Sequence, residues 1–464
     1  MLHLVHLLER RFGEKNASHV VLRVLLASAL LLMLGLGLLL SGRVAAQDTA
    51  AVDGKAIAKQ LLDHLDAGDY AQAEAMFGAD MAKAVPADKL KAVWESLPAQ
   101  VGPAQKRGDA AAIQQGDAIL VKVPLHYAKA ELVAKLAIGA DGRIVGFLIQ
   151  PAEAPAVAAP VPADAGFEER EASVGDDGRA LPATLAMPKG EGPFPAVVLV
   201  HGSGPHDRDE TIGPNKPFLD IARGLAAQGI AVLRYEKRTK SRPQDFTTGP
   251  FGVDQETTND AVLAVDALRR TEGIDPERVF VLGHSQGGMM APRVAAVSGH
   301  VAGLVLLAAP SRPLLDIVVE QNRRLAVLDD GKTSDAERDA FMQLAEQVRV
   351  ARDPATDPAT RSVLGLPVSY WRTIDTVDAV AEAKSVALPM LVLQGARDIQ
   401  VVDADWGRWR SAFHADKRVE FKLYDKLNHL GIAGEGEGSL AEYNTPGHVD
   451  AQLIDDVAAW VKAH

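Results

Sequence analysis

The sequence predicts an α/β chain built on a mostly parallel central sheet with an inserted helical cap, preceded by a small α+β domain. Three observations carry this. From about residue 167 onward, short uncharged apolar runs alternate with helical segments, the texture of parallel strands buried on both faces and joined by crossovers. Ahead of that region, residues 51–150 show helical spacing first and strand alternation later. Between the two lies PAEAPAVAAPVPADA, whose Pro and Ala content favours an extended spacer without a core.

The chain opens with an address. Residues 24–40 read VLLASALLLMLGLGLLL and follow Arg10, Arg11, Lys15 and Arg23. Val44-Ala45-Ala46 then supplies the small residues that a signal peptidase reads, so 1–46 is expected to be a signal peptide cleaved after Ala46. The protein would be exported, to the periplasm or beyond. The competing reading is an uncleaved membrane anchor, because the apolar run is close to the ~18 residues needed to cross a bilayer. Membrane contact is expected only through that segment.

In 51–150, Ile57, Leu61, Leu62 and Leu65 recur at three- and four-residue spacing, one face of a helix that Gly68-Asp69 ends. Past the polar Lys106-Arg107-Gly108-Asp109 stretch, strands are expected at 118–127, 130–138 and 144–149. Ala140-Asp141-Gly142 joins the last two as a hairpin turn. Residues 151–166 are the linker. Within 167–464, buried strands are expected at 196–200, 230–233, 279–282, 304–308 and 390–393, with the more alternating 419–424 nearer an edge. Residues about 311–388 hold helical patterns without a strand and read as the cap.

Composition narrows the chemistry. Lys plus Arg is 49 against 61 for Asp plus Glu, a net charge of −12, the wrong sign for a protein that neutralises phosphates; nucleic acid is not an expected partner. With no cysteine, disulfides, thiolate metal sites and a cysteine nucleophile are excluded. No metal motif of the H-E-x-x-H kind, phosphate loop or dinucleotide fingerprint occurs, so neither a cofactor nor a metal is implied.

Gly283-His284-Ser285-Gln286-Gly287 follows the strand at 279–282 and precedes a helical stretch at 288–297. A strand-to-helix elbow needs glycines beside a nucleophile held at a strained dihedral; without that context the same pattern is a Gly/Ser turn capping a helix. Ser285 is the expected nucleophile. A serine hydroxyl needs a base to take its proton and a carboxylate to orient that base. Asp398 stands on the loop after 390–393, and His429 comes five residues after Tyr424, which makes them the acid and the base. Asp403 and Asp405 compete for the acid, but helix-start capping accounts for them. The oxyanion donors are expected to be the backbone N–H groups of Gln286 and, from the loop His201-Gly202-Ser203-Gly204-Pro205, of Ser203. The charged runs His206-Asp207-Arg208-Asp209-Glu210 and Arg234-Tyr235-Glu236-Lys237-Arg238 read as solvated faces or internal ion pairs rather than substrate contacts.

These residues resemble the α/β-hydrolase superfamily and, within it, the bacterial secreted serine carboxylesterases of the EstD type. The likeness rests on HGSGPHDRDETIGPNKPF at 201–218, GHSQGG at 283–288, QGARDIQV at 394–401 and LNHL at 427–430, and covers about 167–464. It implies hydrolysis of short acyl esters by a Ser285, Asp398, His429 triad acting on a small-molecule ester. Residues 55–150 are similar to the small domain of unknown function, akin to the nuclear-transport-factor cone, that precedes such hydrolases. The chain departs from the pattern at Tyr235-Glu236-Lys237-Arg238-Thr239, where related proteins more often have Asp and Gly around the Lys-Arg. Two rivals stand beside the esterase: a serine peptidase of the prolyl-oligopeptidase kind, for whose propeller the front domain is too short, and a non-catalytic envelope binding protein.

Overall fold

The computed structural model describes residues 52–464, apart from 116–117, 152–159, 177, 247–248, 331–332 and 334. The expected signal peptide at 1–46 lies outside the described residues. The chain divides into two compact units, Met1–Pro155 and Ala156–His464.

In the first unit, helices Gly54–Ala67, Tyr70–Ala75, Ala79–Ala84 and Ala87–Val101 precede strands β1 (Ala104–Arg107), β2 (Ala111–Gln115), β3 (Ala118–Tyr127), β4 (Glu131–Ile138) and β5 (Ile144–Pro151). The Asp53 carboxylate accepts from the N–H groups of Lys55 and Ala56, satisfying donors that a helix start leaves open. Gly68 ends the same helix at φ 77°, a conformation that glycine adopts without steric cost. The antiparallel sheet runs β1-β3-β4-β5, with β2 also on β3. Leu61, Leu62 and Leu65 pack with Leu136, Ile138 and Ile144 to form its core. The polar stretch read as a break interrupts an edge: β1 and β2 pair with successive parts of β3 on either side of Gly108, where a Cβ would meet Pro124 at 2.9 Å.

The second unit holds β6 (Phe167–Val174), β7 (Leu181–Pro188), β8 (Phe194–Val200), β9 (Ala231–Tyr235), β10 (Ile274–His284), β11 (Leu304–Leu307), β12 (Met390–Gly395) and β13 (Val419–Tyr424). They form one sheet in the order β13-β12-β11-β10-β8-β9-β7-β6. The six strands from β13 to β9 are parallel. β7 pairs antiparallel with β9 and β6 with β7, a hairpin beyond the strands read from the sequence. Successive side chains of β8 go to opposite faces: Val198 and Val200 join one core, Val197 and Leu199 the other, which is why the run carries no polar residue. The first face is covered by helices including Asn259–Arg269 and Gln286–Ser298, the second by Pro217–Ala226 and Ala451–Ala463.

The cap consists of helices Leu314–Asp330, Asp335–Arg352, Val368–Asp375 and Ala379–Val386, between β11 and β12. Asp405, in helix Asp403–Phe413, is fully buried and anchors the cap's entry. Its carboxylate accepts from the backbone N–H of Ser311 at 2.8 Å and of Arg312 at 3.1 Å, and pairs with the Arg312 guanidinium at 2.7 Å. Helix capping is therefore not what Asp405 does: the residue at the cap position is Val402.

Candidate active site

Ser285 stands between the end of β10 and the start of helix Gln286–Ser298, at φ 52° and ψ −122°. Positive φ on a side-chain-bearing residue is strained backbone that only a well-determined surrounding maintains. The flanking glycines show how tight that surrounding is. A Cβ on Gly287 would lie 2.1 Å from the Val200 carbonyl oxygen, and one on Gly283 would lie 2.2 Å from that of Gly287. The helix start brings the backbone of β8 and the loop after it against Ser285.

Asp398 and His429 meet across two loops. Asp398 Oδ1 accepts from the N–H groups of Gln400 at 2.8 Å and Val401 at 3.0 Å, which leaves Oδ2 to face His429 Nδ1 at 2.8 Å. Both residues are buried. The His429 loop is folded back by Asn428, whose Oδ1 accepts from Leu430 N–H at 3.0 Å and Ile432 N–H at 3.2 Å. It packs so closely on the end of β12 that a Cβ on Gly395 would be 2.2 Å from the Leu427 carbonyl oxygen. His429 lies against His284, the residue before Ser285: the two rings are 4.7 Å apart, centroid to centroid, and His284 Nε2 is 2.9 Å from the His429 carbonyl. Ser285 and His429 share no side-chain hydrogen bond among the described residues, and in ligand-free sites such contacts tighten only in the complex.

The loop after β8 adjoins the same point, since a Cβ on Gly202 would be 3.3 Å from Ser285 Cβ. The Gly202 N–H is already engaged, donating to Glu210 Oε1 at 2.6 Å. The Ser203 hydroxyl donates to Gln286 Oε1 at 2.8 Å, so the two residues expected to offer oxyanion N–H groups are tied to each other. Buried Lys237 donates to the Gly202 carbonyl at 2.7 Å and pairs with Glu256. Glu256 in turn accepts from Gln286 Nε2 at 2.9 Å. Tyr370 of the cap donates to Gln286 Oε1 at 3.2 Å, and both Tyr370 and Trp371 are buried in the core that the cap shares with one face of the sheet.

Four functional-site neighbours were missed as such in the sequence: Glu210, His284, Lys237 and Glu256, all buried. The first and third lie in the two charged runs, of which the internal-ion-pair half of the expectation describes Arg234, Asp209, Lys237 and Arg238. For His284 the available signal was a lone polar side chain at the end of the apolar run VFVLGH. Burial opposes ionisation of Glu210, but the charge and hydrogen bond of His284, with His206 and His201 close by, outweigh it and hold the carboxyl down at about 2. Burial likewise opposes charge on His284, yet the Glu210 carboxylate and the His429 carbonyl raise it above the usual histidine range. His201, buried with less compensation, is driven down to about 3 and is neutral. Among the described residues no group of three or more His, Asp or Glu side chains is arranged to hold a metal ion.

Residues 192–435 match the family described as serine aminopeptidase, S33, and residues 58–147 match a family described as a protein of unknown function, DUF3887. The chain is 36% identical over 401 residues to Esterase EstD of Thermotoga maritima, spanning 86% of this chain and 93% of that protein. Among solved structures, Est1E from Butyrivibrio proteoclasticus aligns at 17% identity and TM-score 0.40, over 63% of this chain and 96% of its own. The Pyrococcus furiosus esterase Pf2001 aligns at 16% identity and TM-score 0.41, over 66% and 95%. Neither of these last two adds to what the strand order establishes.

Proposed function

Because the chain belongs to the serine aminopeptidase S33 family of α/β-hydrolases and to the line of Esterase EstD, we propose that it is an exported serine carboxylesterase acting on short-chain acyl esters. Ser285 is the nucleophile, His429 the general base and Asp398 its orienting carboxylate. The single observation that carries this reading is the buried Asp398–His429 pair at 2.8 Å, set beside a serine with strained backbone.

In the reaction, Ser285 Oγ attacks the ester carbonyl while His429 Nε2 accepts its proton. Asp398 keeps the remaining proton on Nδ1 and stabilises the imidazolium that forms. The oxyanion of the tetrahedral intermediate is received by the backbone N–H groups of Gln286 and Ser203, aimed where charge develops. Collapse breaks the C–O bond to the alcohol, which leaves with the proton from His429. Water, activated by the same imidazole, then hydrolyses the acyl-enzyme and restores Ser285. The cap would shape the acyl pocket, residues 1–46 would direct export, and 51–150 would form a separate front domain joined through 151–166.

The family description names a peptidase, so the test includes one. Hydrolysis of a p-nitrophenyl ester series from acetate to palmitate is measured beside an aminoacyl-p-nitroanilide, with Ser285→Ala and fluorophosphonate labelling as controls. Short esters cleaved in a Ser285-dependent manner are the expected result. Cleavage of the anilide alone would replace the esterase by a peptidase, and absence of both turnover and labelling would leave a binding protein.

A further inference from the structure

His284 stands directly before Ser285 at the end of β10, and both its ring nitrogens face acceptors. Nδ1 is 2.9 Å from Glu210 Oε2, and Nε2 is 2.9 Å from the backbone carbonyl of His429. A carbonyl only accepts, so Nε2 carries a proton. The second oxygen of Glu210 accepts from Gly202 N–H at 2.6 Å, which favours the carboxylate form. The remaining proton lies between a carboxylate and an imidazole, and the imidazole is the stronger base. Both nitrogens therefore donate and His284 is an imidazolium. The contacts form an unbroken chain from Gly202 through Glu210 and His284 to His429, linking the oxyanion loop to the base loop behind Ser285.

We propose that Glu210 and His284 are positioning residues for ester hydrolysis, a carboxylate–imidazolium clamp that fixes the oxyanion loop and the His429 loop at one spacing and holds only while His284 keeps its proton. This rests on the esterase reading above. The groups that bear on His284 come from every neighbouring element: Glu210 and His206 from the loop after β8, Asp398 from the loop after β12, and from the loop after β13 the His429 carbonyl and the His429 ring, whose own partner is Asp398. Two of the five are carboxylates, and the buried Lys237 ammonium is spent on Glu256 and the Gly202 carbonyl. Once His284 is neutral, its retained proton satisfies Glu210 or the His429 carbonyl, not both. A buried acceptor without a donor is costly, so one loop is released.

The test reads the histidine ring nitrogens of the full-length chain by NMR as pH is raised, alongside kcat/KM for p-nitrophenyl acetate. The His284 resonances are assigned by their loss in His284→Gln or, should that variant not fold, through their contact with the His429 ring. The expected result is a ring protonated at both nitrogens at pH 7.5, where an ordinary imidazole is mostly neutral. An alkaline limb in kcat should follow its deprotonation. Glu210→Gln should move both events to lower pH by about 1 unit or more and lower kcat by up to about 10²-fold with KM little changed. A singly protonated ring at pH 7.5 would overturn the proposal, as would an alkaline limb that stays in place in Glu210→Gln. The ring state is read without turnover, so a chain that shows the imidazolium but neither cleaves esters nor labels at Ser285 refutes the esterase reading instead.

Discussion

Two histidine–carboxylate pairs lie side by side in this molecule, and they are built from the same chemistry to opposite ends. In His429–Asp398 the carboxylate holds one ring nitrogen, and no protein acceptor takes the other among the described residues. In His284–Glu210 the carboxylate holds one nitrogen and a backbone carbonyl holds the other. A base must be able to gain and lose a proton at a free nitrogen during turnover; a ring pinned at both has no such nitrogen, and serves as a structural cation until rising pH removes its proton. Burial and an adjacent carboxylate do not by themselves mark a catalytic histidine. The number of acceptors facing the ring does.

The comparison breaks most sharply at the first pair. His429→Ala and Asp398→Asn should each lower kcat by about 10⁴-fold, measured on p-nitrophenyl acetate, and a loss below 10-fold in either would remove that residue from the mechanism. Lys237→Met should cost less, about 10-fold in kcat, because it weakens rather than deletes an oxyanion donor whose complete removal costs ~10²–10³. Lys237 donates to the carbonyl of the peptide unit that carries the Ser203 N–H, so the loss should fall on kcat and leave KM in place; a change confined to KM would show that Lys237 acts on substrate binding.

The second pair can be sharpened by pH. The Glu210 carboxyl is held at about 2 against its usual 4.5, so its contribution to stability is present above pH 4.5 and is lost as pH falls toward 2. His284 is raised above its usual 6.5, so its contribution is present below 6.5 and is lost as pH rises through the raised value. The difference in thermal midpoint between the unmodified chain and His284→Gln should be largest between those limits, and a difference that does not vary with pH would contradict the pairing. The smallest effect is expected for Tyr370→Phe, which removes one hydrogen bond to Gln286, about 0.5–1.5 kcal/mol, and is checked by denaturant unfolding.

What could be read beforehand follows the same division. The parallel strands announce themselves because both faces are apolar, as in β8 and β12, FPAVVLV and MLVLQG. β6, FEEREASV, sits at the sheet's edge with mostly polar side chains, and β1, AQKR, is exposed along most of its length; neither has a pattern to read. Ser285, Asp398 and His429 were open to nomination because each follows the end of a strand within a few residues. Glu210 and Lys237 were not, since a charged residue in a loop gives no sign of being buried until its partners, 74 residues away for Glu210 and 19 for Lys237, are brought to it. The expected export signal remains a reading of residues 1–46 alone.

The cap is a lengthened connection between two neighbouring strands. Its last helix, Ala379–Val386, does the ordinary work of a crossover, packing on helix Gln286–Ser298 and pairing Glu382 with Arg293. Its entry is tied by Asp405, which belongs to the hydrolase body rather than to the cap. The intervening helices, 314–375, are fastened to the body between those ends as well: Ser369 bonds the backbone of Phe251, Thr373 accepts from Val253 N–H, and Tyr370 donates to Gln286. Exchanging those helices between homologues would therefore mean exchanging residues 251–253 and 286 with them, so the cap and the body it covers must change together.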